Sequence, residues 1–366
     1  MVRAAIHPIP QYGEHPLGAD FNQELWAGAL ARSSDETVAA LVELAENEFR
    51  HGRDESACAV ARLIREHAPD EPGSQHLLSL VSSWLHPGEV PPDPQRADYH
   101  LALAKAYRIL GENEVAASNY RTALTFRENL YEAHLGLAML RMAGDDYLVW
   151  LERLYRVLSP ATVVEIGVRH GESLVQVQPP TVAIGIDPAP TVKYPLKTET
   201  HLFTETSNEF FAAGRLDKLL DGRPLSIGFI DGLHLFEQAL KDFIHLEAYC
   251  GPRSLILFHD TVPLDEPTQS RTTEMSFYTG DVWKTILCLK HYRPELDIFT
   301  IATPPTGLTV VTGLDPKSRV LSEKYDEAVA RLMDTSFSAF EYILDTALNV
   351  VPNDWDMVQS RLKERR

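Results

Sequence analysis

Residues 163–173 read Val-Val-Glu-Ile-Gly-Val-Arg-His-Gly-Glu-Ser, and this stretch is the best guide to the fold. Its first residues are strand formers, and Gly167 and Gly171 predict a tight turn where the strand ends. The turn is expected to open a helix and to point the helix N-terminus at a nucleotide-like ligand. Such turns are common in α/β proteins, so the interpretation depends on the residues that follow.

A second apolar run, residues 182–187, ends on Asp187. An acid at the end of the second strand is expected where a protein binds ribose hydroxyls. The spacing Gly167-x-x-x-Gly171 differs from the Gly-x-Gly-x-x-Gly turn of dinucleotide-binding enzymes, so it provides no cradle for a pyrophosphate. A nicotinamide-dependent oxidoreductase is therefore disfavoured, and a cofactor that carries an amino acid is favoured.

Strand-like runs alternate with helical patterns from residue 146 onwards. Strands are predicted at 162–167, 182–187, 200–203, 225–231, 254–260, 297–302 and 307–312. Helices are predicted between the first two strands and at 146–158, 207–220, 235–248 and 280–290. This alternation predicts an α/β fold with a doubly wound, Rossmann-like sheet of seven strands. The turn Pro-Pro-Thr-Gly at 304–307 predicts that the last two strands form an antiparallel hairpin.

The carboxyl ends of four predicted strands carry acids or histidines. They are Glu165, Asp187, Asp231 with His234, and His259-Asp260-Thr261. Ligands of doubly wound sheets bind beyond the carboxyl ends of the strands. The four strand ends therefore predict one site along this edge of the sheet.

These motifs together resemble class I S-adenosylmethionine-dependent methyltransferases. The matching stretches are Glu165-Ile-Gly-x-x-x-Gly171-x-Ser173, Gly185-Ile-Asp187, Asp231-Gly-Leu-His234-x-x-Glu237-x-x-x-x-Asp242 and His259-Asp260-Thr261. More narrowly, the chain is similar to the branch of macrolide-sugar O-methyltransferases that contains the macrocin and mycinamicin enzymes. The segment 280–284, Gly-Asp-Val-Trp-Lys, also fits bacterial members of that branch. The resemblance covers residues 145–315.

The resemblance implies a set of residues that bind S-adenosylmethionine. The first turn would hold its methionine portion, Asp187 its ribose and the residues after the third strand its adenine. If no metal is bound, Asp231 would hydrogen-bond its amine. The residues so implied are Glu165, Gly167, Gly171, Ser173, Asp187, Thr206, Ser207 and Asp231. Helix capping is the alternative role for Ser173.

Methyl transfer to a hydroxyl requires a group that removes the hydroxyl proton, and a neutral histidine serves that purpose. The resemblance implies that His234 is the general base, with Asp231 beside it. The alternative is that His234 caps a helix or orients Asp231. If no metal is bound, His259 is the competing base.

Asp231 and Asp260 end neighbouring strands, and two carboxylates on one rim suit Mg²⁺, which favours oxygen ligands. Thr261 is the third candidate ligand. Related metal-dependent enzymes carry a pair of acidic or amide side chains after the fifth strand. His259-Asp260-Thr261 departs from that pattern, so both a metal-assisted and a metal-free reaction stay open.

Composition excludes several classes of protein. The net charge of −18 disfavours nucleic acid as a partner. No apolar run is long enough to span a membrane and the N-terminus has no secretory signal, so a cytoplasmic protein is expected. Cys58, Cys250 and Cys288 are too widely spaced for a zinc site or a disulfide framework and are expected to be buried thiols.

The N-terminal part is predicted to be helical. Residues 1–30 form an irregular arm, and residues 38–71 and 97–130 each resemble a tetratricopeptide repeat, with generic helical hairpins as the alternative. The predicted domains are thus the arm 1–30, the repeats 31–145, the methyltransferase domain 146–315 and a helical tail 316–366. The repeats are expected to bind a protein partner or to mediate self-association, which would give a homo-oligomer.

Two classes of function follow. The first is an S-adenosylmethionine-dependent O-methyltransferase whose acceptor is a hydroxyl of a small molecule, either a sugar or a glycosylated natural product. Tyr278 and Trp283 are candidates for its acceptor pocket, with helix packing as the alternative for Trp283. The second class is a repeat-based scaffold protein whose sheet domain is catalytically inactive.

Overall fold

The computed structural model describes residues 113–364 apart from residue 273. Before them it describes residues 3–4, 20–21, 97, 100–101, 104–105 and 108. The chain divides into two compact units, Met1–Leu140 and Arg141–Arg366. Within the described part, no helix is long and apolar enough to cross a lipid bilayer.

The first unit contains helix α1, Asn113–Phe126, and most of helix α2, Tyr131–Arg141. The buried Tyr120 of α1 packs on α2, where a Cβ at Gly136 would overlap its ring. Ala104 and Ala116 are also buried, as small residues between paired helices should be. The first predicted repeat, 38–71, lies outside the described residues, so the repeat assignment stays a prediction.

The second unit is built on one sheet. Its strands are β1 Thr162–Ile166, β2 Val182–Ile186, β3 Thr200–Phe203, β4 Leu225–Ile230, β5 Cys250–His259, β6 Asp297–Ile301, β7 Leu308–Thr312 and β8 Val350–Val351. They lie in the order β8-β6-β7-β5-β4-β1-β2-β3. Strand β7 runs antiparallel to β5 and β6, and the other neighbouring pairs are parallel. The predicted Rossmann-like sheet with one reversed strand is confirmed.

The prediction of seven strands was short by one. The eighth strand, β8, pairs with β6 at the edge of the sheet and lies in the predicted helical tail. Asn349 precedes it with a positive φ of 52°, and its side-chain amide donates to the carbonyl of Ile298. Two apolar residues are too few to produce a periodic pattern, which is why sequence did not reveal this strand.

The predicted helix after the glycine turn was wrong. The structure has a single 3₁₀ turn there, Leu174–Gln176. Pro179 and Pro180 follow closely, and a helix cannot extend through them to the start of β2. The predicted helix 207–220 is also broken, into α4 Ser207–Ala212 and α5 Arg215–Leu220, because Gly214 adopts a φ of 60°.

Helices cover both faces of the sheet. On one face lie α3, Tyr147–Leu158, and the C-terminal helix α11, Trp355–Glu364. On the other lie α4, α5, α6 Phe236–Glu247 and α7 Trp283–Tyr292. Successive residues of a strand face opposite sides, so Val163 packs under α3 whereas Val164 packs under the second layer. This arrangement leaves the carboxyl ends of the strands for the site.

The C-terminal tail packs on the sheet domain. It contains the short helix α8 Val320–Glu323, α9 Tyr325–Met333, the short helix α10 Leu344–Ala347 and α11. Lys284 donates to the carbonyl of Met333, and Trp150 donates to the side chain of Asn353. Cys250 and Cys288 are buried free thiols, as predicted.

Candidate active site

The glycine turn at the end of β1 brings two strand ends together. The amide of Gly167 donates to the carbonyl of Ile186 on β2, and the amide of Asp231 after β4 donates to the carbonyl of Ile166, each at 2.8 Å. Gly167 has a φ of 89°, and a Cβ there would overlap the carbonyl oxygen of Asp231. Only glycine fits this position, and it lets the turn lie directly against the end of β4.

Asp187 holds the glycine turn by its backbone. Its Oδ2 accepts hydrogen bonds from the amides of Val168 at 2.9 Å and Arg169 at 2.8 Å. Its Oδ1 accepts from the amide of Ala189 at 2.7 Å. Oδ1 accepts only one hydrogen bond and can accept a second, so Asp187 can shape the loop and still bind a ribose hydroxyl.

Glu165 is a fully buried carboxyl with one oxygen free. Ser173 donates to its Oε1 at 2.7 Å, whereas Oε2 is buried and has no hydrogen-bond partner. Burial raises the pKa of Glu165 well above its usual range, and the bond from Ser173 opposes that rise only in part. A cationic group, such as the ammonium of an amino-acid cofactor, would stabilise the ionised form of Glu165 by pairing with this free oxygen.

Four predicted residues meet in one cluster beyond β4 and β5. We call Asp231, His234, His259 and Asp260 the His–Asp cluster. The Nε2 of His234 lies 3.0 Å from Asp260 Oδ2 and 3.8 Å from Asp231 Oδ1. The Nδ1 of His259 lies 3.1 Å from Asp231 Oδ1 and 3.2 Å from Asp260 Oδ2. The prediction that these strand ends share one rim therefore agrees with the geometry.

The charges of the cluster stabilise one another. Burial alone would lower the pKa of both histidines, but the carboxylates of Asp260 and Asp231 outweigh it. The pKa of His234 is raised, and that of His259 is raised to about 10. Burial likewise opposes the ionised form of Asp260, but the two imidazoles hold the pKa of that carboxyl well below its usual range.

His259 differs from His234 in having both ring nitrogens engaged. Its Nδ1 contacts the two carboxylates and its Nε2 lies 3.2 Å from the hydroxyl of Thr306. The side chain is 8% exposed, against 21% for His234. His259 is thus better suited to position the carboxylates than to act as the competing base that the sequence suggested.

His234 has one nitrogen held and one free. Its Nε2 contacts Asp260, whereas its Nδ1 is buried without a hydrogen-bond partner. A carboxylate that fixes one imidazole nitrogen and leaves the other free is the arrangement that general bases use. The capping role considered for His234 is not observed, because α6 begins at Phe236 with Leu235 as its cap residue.

The cluster has a donor set that fits a divalent cation. One ligand atom each from Asp231, His234 and Asp260 lies within 4.8 Å of the others. Two carboxylates with an imidazole suit several divalent metals, and the carboxylates alone suit Mg²⁺. Thr261, the third predicted ligand, needs correction: it is fully buried, and its hydroxyl accepts a hydrogen bond from Thr309 at 2.8 Å.

Thr206 and Ser207 have structural partners. Thr206 caps α4 and forms a capping box with Glu209. The hydroxyl of Ser207 donates to the buried Asp242 at 2.7 Å, and Gln238 donates to the same carboxylate at 2.8 Å. Burial raises the pKa of Asp242 to about 6 despite these hydrogen bonds. The predicted contact of Thr206 and Ser207 with adenine stays a prediction.

Two aromatic residues lie beside the histidines. Tyr278 is partly buried, and its ring centroid lies 5.0 Å from that of His234. Tyr147 lies against His259, with ring centroids 4.0 Å apart and ring planes inclined by 30°. The pattern of the predicted helix 146–158 does not signal that its start reaches the site.

Trp283 belongs to the core. It is fully buried and packs against Phe337 and Phe340 of the tail, with ring centroids 6.0 and 5.5 Å away. Of the two explanations offered for this residue, helix packing is the one observed. Leu233, in contrast, is 61% exposed although it is apolar and directly precedes His234.

Comparison with known proteins identifies the domain. Residues 164–261 match the family model of a methyltransferase domain, which spans β1 to the end of β5 and includes the His–Asp cluster. The prediction of a methyltransferase is confirmed. Among curated proteins, none matches this chain significantly.

Solved structures of O-methyltransferases resemble the chain distantly. An O-methyltransferase from Bacillus cereus in complex with SAH is 10% identical, with 64% of this chain and 97% of that chain covered and a TM-score of 0.34. A putative O-methyltransferase from Klebsiella pneumoniae is 14% identical, with coverages of 65% and 98% and a TM-score of 0.33. The O-methyltransferase TomG from Streptomyces achromogenes, in complex with SAM, is 14% identical, with coverages of 55% and 90% and a TM-score of 0.33.

Proposed function

We propose that this chain is an S-adenosylmethionine-dependent O-methyltransferase of small molecules. Its acceptor would be a hydroxyl of a sugar or of a glycosylated natural product, as the resemblance to the macrolide-sugar branch implies. One observation carries the proposal: His234 has one nitrogen held by Asp260 and one nitrogen free, inside the methyltransferase domain. This is how a base that deprotonates a hydroxyl should be arranged.

The residues of the glycine turn fit the cofactor. The free buried oxygen of Glu165 offers a partner for an ammonium group, and Asp187 keeps acceptor capacity for ribose hydroxyls. Gly167 and Gly171 both have positive φ, a conformation that favours glycine, and they shape the turn at the carboxyl end of β1, where a ligand would approach. When bound, S-adenosylmethionine would supply an electrophilic methyl group on a sulfonium.

Proton removal falls to His234. Its raised pKa reflects the two carboxylates, and the protonated form cannot accept a proton. Asp231 and Asp260 would hold a divalent cation such as Mg²⁺, whose positive charge favours the neutral imidazole. His234 then takes the proton of the acceptor hydroxyl, and Asp260 stabilises the resulting imidazolium.

The surroundings of His234 suit an acceptor with an apolar face. The exposed Leu233 directly precedes His234, and the ring of Tyr278 lies beside the imidazole. Aromatic rings pack against the C–H faces of sugars while leaving the hydroxyls free to meet polar groups. These two residues are therefore the proposed acceptor contacts.

Methyl transfer provides the test. The full chain is incubated with methyl-labelled S-adenosylmethionine and a panel of sugars and glycosides, with added Mg²⁺ or after exhaustive chelation. We expect label in an O-methylated product, and loss of transfer after chelation that Mg²⁺ restores. Methyl transfer that survives chelation would reject the role of the metal but not the methyltransferase. Failure to bind S-adenosylhomocysteine in calorimetry would reject the enzyme and favour the scaffold function.

We also propose that the helical N-terminal part mediates self-association. The tetratricopeptide-like pattern supports this role, because such repeats present extended surfaces. Sedimentation of the full chain over a range of concentrations tests it: a homo-oligomer is expected, and a monomer at all concentrations would reject it.

A further inference from the structure

Helix α6 begins two residues after His234, and its first amide is capped by a distant residue. The cap residue Leu235 provides no side-chain hydrogen bond. Instead, Oδ1 of Asp281 accepts from the amide of Phe236 at 2.8 Å. Asp281 is fully buried and lies at the end of the loop between β5 and α7. The start of α6 therefore depends on a carboxylate from another part of the chain.

The residues just before Asp281 contact His234 itself. Gly280 has a φ of 57°, and a Cβ there would overlap the carbonyl oxygen of His234. The ring of Tyr278 lies beside the imidazole. Tyr278 thus lies beside the ring of His234, and Gly280 lies against its carbonyl. Asp281 accepts from the amide of Phe236, two residues later. We call this stretch the 278–281 segment.

Charge holds the 278–281 segment in place. Oδ2 of Asp281 lies 2.6 Å from Arg271 and 3.3 Å from the buried Lys284. Arg271 also forms two hydrogen bonds with Glu237, the second residue of α6, at 2.7 and 3.0 Å. Bidentate pairs of this kind fix orientation as well as distance. Arg271 and Lys284 therefore fix the carboxylate of Asp281, which in turn caps the first amide of α6.

We propose that Asp281 is a positioning residue for methyl transfer, which fixes the backbone on which His234 is mounted. This inference rests on the proposed role of His234 as the base. Loss of the Asp281 charge would leave Arg271 and Lys284 without their shared anionic partner, so the side chain that accepts from the amide of Phe236 would no longer be held in place. The imidazole would then shift relative to the acceptor, and a displacement of about 1 Å can slow a reaction by about 100-fold.

Asp281→Asn tests the proposal, with Asp297→Asn as the matched control. Like Asp281, Asp297 is a carboxylate paired with an arginine, Arg361 at 2.6 Å, but it is 11% exposed and lies at the start of β6. We expect kcat to fall by about 10- to 100-fold in Asp281→Asn, while KM for the acceptor and affinity for S-adenosylhomocysteine stay within twofold. Asp297→Asn should keep kcat within twofold of wild type.

A double variant separates positioning from general damage. Because Asp281 acts through His234, adding Asp281→Asn to His234→Gln should lower kcat no further. A second, independent loss of kcat in the double variant would overturn the proposal. If Asp281→Asn does not fold, Arg271→Gln replaces it: the bond to Phe236 remains, and a smaller fall in kcat is expected, whereas unchanged kcat would overturn the proposal.

Nuclear magnetic resonance gives a readout that does not depend on catalysis. The imidazole signal of His234 is assigned by its absence in His234→Gln. We expect this signal to move or broaden in Asp281→Asn and to stay in place in Asp297→Asn. An unchanged signal overturns the positioning role. A moved signal in a protein that transfers no methyl group upholds the structural coupling and rejects the proposed function instead.

Discussion

The glycine turn and the His–Asp cluster occupy the same edge of the sheet but are held in different ways. In the glycine turn, backbone amides do most of the holding: Asp187 accepts from three of them, and Gly167 permits the close approach of another strand end. In the cluster, side-chain charges hold one another, with His259 between two carboxylates. The first arrangement is suited to binding a cofactor and the second to moving a proton.

This difference supports separate proposed functions for the two regions. The turn is held by backbone amides that donate to the one carboxylate of Asp187. A cluster of buried charges responds to protons, metals and neighbouring substitutions. Changes in the turn should therefore affect cofactor affinity, and changes in the cluster should affect turnover.

The largest effect is expected for His234→Ala. Removal of a general base typically costs about 10²- to 10⁴-fold in rate, so kcat should fall by that factor. Affinity for S-adenosylhomocysteine, measured by calorimetry, should stay within twofold. Wild-type turnover in this variant would reject His234 as the base.

A smaller effect, on affinity alone, is expected for Asp187→Ala. Hydrogen bonds to a charged group are each worth about 1.5–3 kcal/mol, so the Kd for S-adenosylhomocysteine should rise by about 10- to 100-fold. The turnover rate at saturating cofactor should change little. Unaltered affinity would show that Asp187 only shapes the loop.

Sequence predicted the residues of both the glycine turn and the His–Asp cluster, but not the residue that positions His234. Gly167 and Asp187 were predicted from local patterns, namely the spacing of the glycines and the acid at the end of a strand. The cluster members Asp231 and His234 were also predicted, because they follow a strand end. Asp281, in contrast, reaches the start of α6 only through the folded loop, and no spacing rule connects it with His234.

Two features of the structure differ from the predictions for physical reasons. The helix expected after the glycine turn is absent because two prolines precede β2. Thr261 was expected among the metal ligands because it follows Asp260, but neighbouring residues at a strand end face different ways. Asp260 itself has a φ of 56°, so the chain turns sharply at this point. Sequence position alone does not show such a turn.

The pH dependence of stability is expected to come from the cluster. The pKa of His259 is raised from 6.5 to about 10, so its contribution is fully present below pH 6.5 and is lost as the pH rises through about 10. The pKa of Asp260 is lowered from 3.8, so its contribution is present above pH 3.8 and is lost as the pH falls through its folded-state value.

His259→Gln should therefore flatten the alkaline side of the stability profile. We expect Tm of the wild type to fall between pH 6.5 and about 10, and Tm of the variant to fall less over the same interval. Thermal denaturation in a series of buffers measures both. Equal slopes in the two proteins would contradict the assigned charge of His259.

The smallest effect is expected for Ser207→Ala. Its loss leaves the buried Asp242 with one donor fewer, which should lower the free energy of unfolding by about 1–3 kcal/mol in denaturant titrations. If Ser207 also contacts adenine, as the resemblance implies, the affinity for S-adenosylhomocysteine falls as well. Unchanged stability would contradict the hydrogen bond to Asp242.

One paired measurement tests the central claim, that the turn binds the cofactor and the cluster performs methyl transfer. Kd for S-adenosylhomocysteine and kcat at saturating S-adenosylmethionine are determined for wild type, Asp187→Ala and His234→Ala. We predict a crossed result, in which Asp187→Ala changes mainly Kd and His234→Ala changes mainly kcat. If both variants change both quantities together, or if His234→Ala turns over like the wild type, the division between the two regions is wrong.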